Sequence, residues 1–122
     1  MLTEETIIQT YEDHIGAINK LDTEKVLALY AEEIVVRLPI GKAIAGKPAL
    51  RKALESVPPE EIVGYEQIRC EIAAAGDRAT LEVTLKLRTR GQTRATTHHG
   101  VMFFRLNPAT GKPEIIEERP MN

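Results

Sequence analysis

The chain has little of what marks most specialised protein classes. Its 122 residues contain no tryptophan, a single cysteine (Cys70) and only 4% aromatic residues. One cysteine excludes an internal disulfide and a thiolate metal cluster. The longest apolar runs are a few residues, far short of the roughly 20 that a membrane-crossing helix needs. The first residues, MLTEETIIQT, are acidic and lack a basic stretch followed by an apolar one, so they do not read as a signal peptide. Positive charge is not in excess: 16 Lys and Arg stand against 18 Asp and Glu, for a net charge of −2. A generic nucleic-acid binder carries a basic surplus, so that class is disfavoured. HExxH, G-x-S-x-G, P-loop and G-x-G-x-x-G patterns are all missing, which leaves zinc, nucleophilic hydrolase, nucleotide and dinucleotide chemistry without support. Internal repeats and low-complexity stretches are missing too. The only linker-like pieces, Val57-Pro58-Pro59 and Asn107-Pro108, are too short to separate domains. These absences leave one cytoplasmic domain over residues 1–122, with no cofactor expected and neither nucleic acid nor membrane as partner.

What is present suits a packed α+β domain. The chain is 43% apolar and 28% charged, and at this length it should bury roughly two-thirds of its unfolded surface. Thr3 reads as the N-cap of a first helix, without a full capping box because the position three on is Thr6. Ile7, Ile8, Tyr11, Ile15 and Ile18 recur at helical spacing, and His14 borders their stripe. Asp22 or Thr23 caps a second helix in which Val26, Leu27 and Tyr30 face inward. Ile34 to Pro39 reads as a strand containing Arg37, and Gly46-Lys47-Pro48 opens a third helix running to about Ser56. After Pro59 the period changes from 3.6 to 2. Ile68, Cys70, Ile72 and Ala74 alternate with polar residues, as do Leu81, Val83, Leu85 and Leu87, with turns at Gly76-Asp77 and Gly91-Gln92. Thr93 to Leu106 and Glu114 to Glu118 complete an antiparallel meander.

One stretch breaks the alternation. Val101, Met102, Phe103 and Phe104 are consecutive and apolar, so both faces of their strand call for burial. One face meets the helices. For the other, a homodimer through the sheet, with Val101 and Phe103 in contact, is the economical answer. Cover by the C-terminal segment is the alternative.

This organisation resembles the nuclear transport factor 2-like superfamily, in its ketosteroid isomerase and SnoaL-like branch. The residues carrying the likeness are His14-Ile15, Leu21 to Val26, Leu29-Tyr30-Ala31-Glu32-Glu33, Ile34 to Gly41, and Ala45-Gly46-Lys47-Pro48 leading into a helix. The resemblance implies a cone of three helices capped by a curved antiparallel sheet around a pocket, usually as a dimer. It also implies where catalytic groups would stand. The oxyanion-binding tyrosine of ketosteroid isomerases falls on His14, their carboxylate base on Leu38, and their protonated aspartate on Gly100. Since leucine cannot abstract a proton, the isomerase mechanism is excluded while the fold is kept. Tyr30 matches a supporting tyrosine, which implies a Tyr30–His14 hydrogen bond.

His14 and Tyr30 are therefore the candidate catalytic pair, His14 as an acid/base near neutral pH. A helix histidine satisfied in the core is the plainer reading of His14. With the family's register, His98, Gly100, Met102 and Phe104 face the pocket, and Leu38, Ile40 and Leu54 add walls to this ligand-binding set. His98 and His99, adjacent on a strand, point to opposite faces and cannot share a metal ion, so no metal site is expected. Arg37 points away from the pocket toward a sheet glutamate or a dimer contact. Cys70 reads as an inert buried residue, and Lys86, Arg88, Arg90 and Arg94 as a solvated hairpin edge. Two functions fit. One is binding, or cofactor-free isomerase, cyclase or hydratase-type conversion, of a small, mostly apolar molecule. The other is a non-catalytic homodimeric interaction module whose cavity is filled by side chains.

Overall fold

The change of period at Pro59 divides the molecule into a helical layer and the long strands it lies on. The computed structural model describes residues 1–39, 41–56 and 59–121. In chain order the elements are α1 (Glu4–Asn19), α2 (Thr23–Ala28), β1 (Tyr30–Arg37), β2 (Ala43–Ala45), α3 (Lys47–Ser56), β3 (Glu60–Ile72), β4 (Arg78–Thr89), β5 (Thr96–Asn107) and β6 (Lys112–Pro120). They form one six-stranded sheet in the order β2-β1-β6-β5-β4-β3. The meander β3 to β6 is antiparallel throughout, and β1 joins β6 in parallel.

Helix α1 starts in a full capping box, contrary to the sequence reading. Thr6 substitutes for the usual Glu or Gln, its hydroxyl accepting from Thr3 N–H while Thr3 Oγ1 accepts from Thr6 N–H, both at 3.2 Å. The buried stripe of α1 is Ile7, Thr10, Tyr11, His14 and Ala17, with Ile8, Ile15 and Ile18 on its shoulders. Leu21 takes φ of 57°, which reverses the chain and lets the Asp22 carboxylate cap α2 by accepting from Lys25 N–H at 3.1 Å. Tyr30 was expected on α2 but is the first residue of β1, because α2 stops at Ala28 and Tyr30 pairs with Ile115 of β6. The first strand accordingly runs over Tyr30–Arg37 rather than Ile34–Pro39.

Bulges bend the sheet and reset which residues face inward. In β3 the register shifts between Ile62 and Gly64 and between Gln67 and Arg69. Ile68, expected beside Cys70 on the inner face, is extruded there and left 47% exposed. Asn19 at the end of α1 grips β3 by its backbone, donating to Ile62 O at 3.0 Å and accepting from Ile62 N–H at 2.7 Å. The basic hairpin edge is partly pinned, with Arg88 and Arg90 both pairing with Glu61. The core lies between α1 and the inner face, where Ile7, Tyr11, Ile34, Leu81, Phe104 and Ile115 are almost wholly buried. Each such side chain contributes roughly 1.5–3 kcal/mol relative to exposure.

Candidate functional site

Between α1 and the N-terminal half of β5 lies a cavity of about 450 Å³. Val36 of β1, Val83, Leu85 and Leu87 of β4, and Gly100 and Met102 of β5 supply its apolar walls. Tyr11 and His14 of α1 and Glu118 of β6 supply its more deeply buried polar groups, and Arg37, His98, His99 and Arg119 border it as well. Gly100 matters here for what it omits, since a Cβ at that position would sit 3.2 Å from the Arg119 carbonyl oxygen.

Glu118 reaches the cavity through a bulge. On β5, Phe103 pairs with Glu117 and the next residue, Phe104, with Ile115, so Ile116 is an extra residue on β6. Strict alternation from the fully buried Ile115 would place Glu117 inside. The extra residue instead sends Glu117 to the outer face and brings Glu118 inside, opposite Met102. Sequence reading missed Glu118 altogether. The Ile115-Ile116-Glu117-Glu118 run, where two apolar and two acidic residues defeat a period of 2, was the available signal of a bulge.

The three polar residues form a chain. His14 Nε2 lies 2.6 Å from Tyr30 Oη, and the Tyr30 hydroxyl donates toward both Glu118 oxygens at 3.2 Å. His14 Nε2 is itself 3.9 Å from Glu118 Oε1. Burial pushes the imidazole down to about 4, so His14 is neutral at pH 7. Burial pushes Glu118 up to about 7, against the Tyr30 hydrogen bond, which favours the carboxylate. Tyr30 is raised well above its usual range by burial and then by the charge of Glu118. Tyr11 is raised as well, first by burial and then by Glu118. With the tyrosine hydroxyl donating to an ionised Glu118, the neutral imidazole carries its proton on Nε2 and donates to Tyr30. That leaves His14 Nδ1 as a bare acceptor, and it is buried without a partner, as is Tyr11 Oη. The rings support one another: Tyr11 stacks on His14 at 6.1 Å, and Tyr30 meets His14 edge-on at 5.5 Å. Near neutral pH the group that changes its charge here is the carboxyl, not the histidine.

The structure brings His14, Tyr30, Gly100 and Met102 together, with His98 on the exposed cavity mouth, where its Nε2 is 2.8 Å from Thr96 Oγ1. It does not bring Leu38, Leu54 or Phe104 to the cavity. Leu38 is half-buried beyond the end of β1, and Leu54 packs half-buried against the core. Phe104 is fully buried, one inward step past Met102, where it is part of the packed core. Ile40 lies outside the described residues. Arg37 pairs with Glu117 at 3.2 Å, the sheet glutamate that alternation called for. His99 pairs with Glu82 on the outer face, opposite in direction to His98. Cys70 is half-buried, and burial raises its thiol further from the thiolate form. Among the described residues no cluster of side chains has the make-up of a metal site, and no helix is long and apolar enough to cross a membrane.

A family described as the SnoaL-like domain matches residues 11–112. No curated protein matches the sequence. Among solved structures, a ketosteroid isomerase-like protein from Erwinia carotovora atroseptica SCRI1043 superposes with a TM-score of 0.77 at 19% identity, covering 97% of this chain and 95% of that one. An NTF2-like protein of unknown function from Pseudomonas putida KT2440 gives 0.74 at 21% identity, with 96% and 84% covered. Rv0760c from Mycobacterium tuberculosis, in complex with estradiol-17beta-hemisuccinate, gives 0.66 at 18% identity, with 94% and 92% covered.

Proposed function

The chain belongs to the SnoaL-like domain family, within the nuclear transport factor 2-like superfamily, and from that premise we propose that it binds a small, mostly apolar organic molecule in the cavity and transforms it by cofactor-free proton transfer. The observation that carries this reading is a cavity of about 450 Å³ whose apolar walls surround one hydrogen-bonded chain, Glu118–Tyr30–His14. A site of this kind suits a ligand that is apolar over most of its surface and polar at one end. The steroid complex of Rv0760c is in keeping with such a ligand.

The chemistry follows from the charge states. Glu118, poised at about 7, takes a proton from bound substrate when ionised and returns it when protonated. Tyr30 holds the carboxylate by its hydroxyl, and neutral His14 holds Tyr30. The role first expected of His14, acid/base, thus passes to Glu118, and His14 with Tyr30 becomes the positioning pair. Isomerisation, cyclisation and hydration all need one such group. The isomerase base position is Leu38, so the carboxylate acts here from β6 instead.

The rival reading, an interaction module with a filled cavity, is disfavoured by the open volume. Homodimerisation is a separate matter and remains part of the proposal. Val101 and Phe103 are half-buried on the outer face, beside a second hollow of about 450 Å³ that Phe103 and Ile116 line. Phe103→Asp should yield a monomer in sedimentation if the outer face is the contact.

A thermal-shift screen of ketones, epoxides, steroids and polyketide-like aromatics tests the reading, with wild type and Glu118→Gln side by side. A ligand at about 100 times its Kd adds about 2.7 kcal/mol, enough to raise Tm by several degrees in a domain of this size. Hits that Glu118→Gln still binds but no longer converts support the assignment. Silence across all four classes and from apolar amines alike refutes it.

A further inference from the structure

We infer that the cavity selects a protonated amine carried on an apolar body, with the Glu118 carboxylate as its counter-ion. This rests on the small-molecule reading above and names the ligand class. What points to it is a missing partner. An ionised carboxylate held among apolar side chains is costly unless a cation accompanies it. Each element around Glu118 fails to supply one. From α1 it meets Tyr11 and His14, a phenol and a neutral imidazole, with Tyr65 of β3 lying beyond Tyr11 at 5.4 Å between rings. From β1 it meets the Tyr30 hydroxyl. The cavity residues of β4, Val83, Leu85 and Leu87, are apolar.

The nearby cations are committed elsewhere. Arg37 of β1 and Arg119 of β6 also border the cavity, but both pair with Glu117, which alternation puts on the opposite face from Glu118. Arg119 also lies over the Phe103 ring at 4.8 Å. On β5, His98 bonds Thr96 and His99 bonds Glu82. Among the described residues, no lysine or arginine pairs with Glu118. An ammonium group placed against Glu118 would complete the pair. An anionic ligand group set against Glu118 would meet a like charge, and an alcohol would leave the carboxylate without its cation.

The consequence is a linkage between binding and proton release. To hold an ammonium, Glu118 has to be ionised, so its proton competes with the ligand. Adamantan-1-amine and adamantan-1-ol are suitable probes, sharing one rigid apolar body small enough for about 450 Å³. The amine stays protonated across the range tested, as aliphatic amines near 10 do. In calorimetric titrations, with Glu118 titrating at about 7, amine affinity should rise by roughly 15-fold from pH 5.5 to pH 7 and by about a further twofold before levelling off near pH 8.5. Alcohol affinity should change by less than about threefold, the carboxyl acting on it only through hydrogen bonding. Glu118→Gln should flatten the amine profile and remove its preference over the alcohol. Retained alcohol binding by that variant would show that it is folded. If the alcohol binds wild type while the amine binds no better and with no rise toward pH 7, the inference is overturned and the small-molecule reading survives. If neither probe binds at millimolar concentration, the inference is overturned, and the small-molecule reading stands or falls on the thermal-shift screen.

Discussion

The two halves of β5 make opposite use of the same strand geometry. Toward its C-terminus, inward-facing Phe104 is 0% exposed and joins Ile7, Leu81 and Ile115 in a packed cluster. Toward its N-terminus the inward positions are Met102, Gly100 and His98, and they border an open cavity. Side-chain volume decides between the two: a phenyl ring fills the space below the helices, whereas a glycine leaves it empty. The packed half stabilises the fold. The open half holds the unpartnered His14 Nδ1 and Tyr11 Oη together with an uncompensated carboxyl. Such groups reduce stability, and they collect where a ligand-binding site is wanted.

Breaking the packed half should have the largest effect. Phe104→Ala should cost about 3–5 kcal/mol in urea denaturation, since the ring has no space to be replaced by water or relaxation. Making the open half resemble the packed one should cost less. Gly100→Val places atoms against the Arg119 carbonyl and into the cavity, so about 1–3 kcal/mol should be lost and probe binding abolished together.

The carboxyl sharpens the comparison through pH. Glu118 binds its proton more tightly folded than unfolded, so its contribution is present at acid pH and is lost as pH rises through about 7. His14 has the opposite sign: its folded value near 4 lies below the unfolded one, so stability is lost as pH falls from about 6.5 through 4. Glu118→Gln should therefore be more stable than wild type at pH 8.5 by about 1–3 kcal/mol and close to it at pH 5. Denaturation at the two pH values checks this, and equal differences at both would remove Glu118 from the titration. The smallest effect belongs to neither half but to the outer face. Arg119→Ala removes the cation over Phe103 and one partner of Glu117, and should cost about 0.5–1 kcal/mol by the same measurement.

How legible the site was depended on whether it followed a simple period. His14 and Tyr30 were reached through the family resemblance, which implied their hydrogen bond, and that bond is there at 2.6 Å. The inward set Gly100 and Met102 followed from the family's register along β5. Phe104 has the same parity but belongs to the packed half, because parity says which face a residue takes and not how far along the strand the cavity extends. Leu38 was assigned a wall by position alone, and its strand ends one residue earlier. Ile68 and Glu118 were misread or missed for one shared reason, that a bulge adds a residue and inverts the parity of everything beyond it.

Local pattern, then, determined the order of helices and long strands, the lack of an internal disulfide that a single cysteine dictates, and the apolar strand at the heart of the sheet. Those depend on spacing between neighbours a few residues apart, which a sequence displays directly. The pairing of β1 with β6, the bulge at Ile116, and the meeting of Glu118 with Tyr30 across 88 residues of chain were decided only by tertiary structure. The raised pKa of Glu118 comes from burial by residues distant in sequence, and burial of that kind exists only once the sheet has closed over α1.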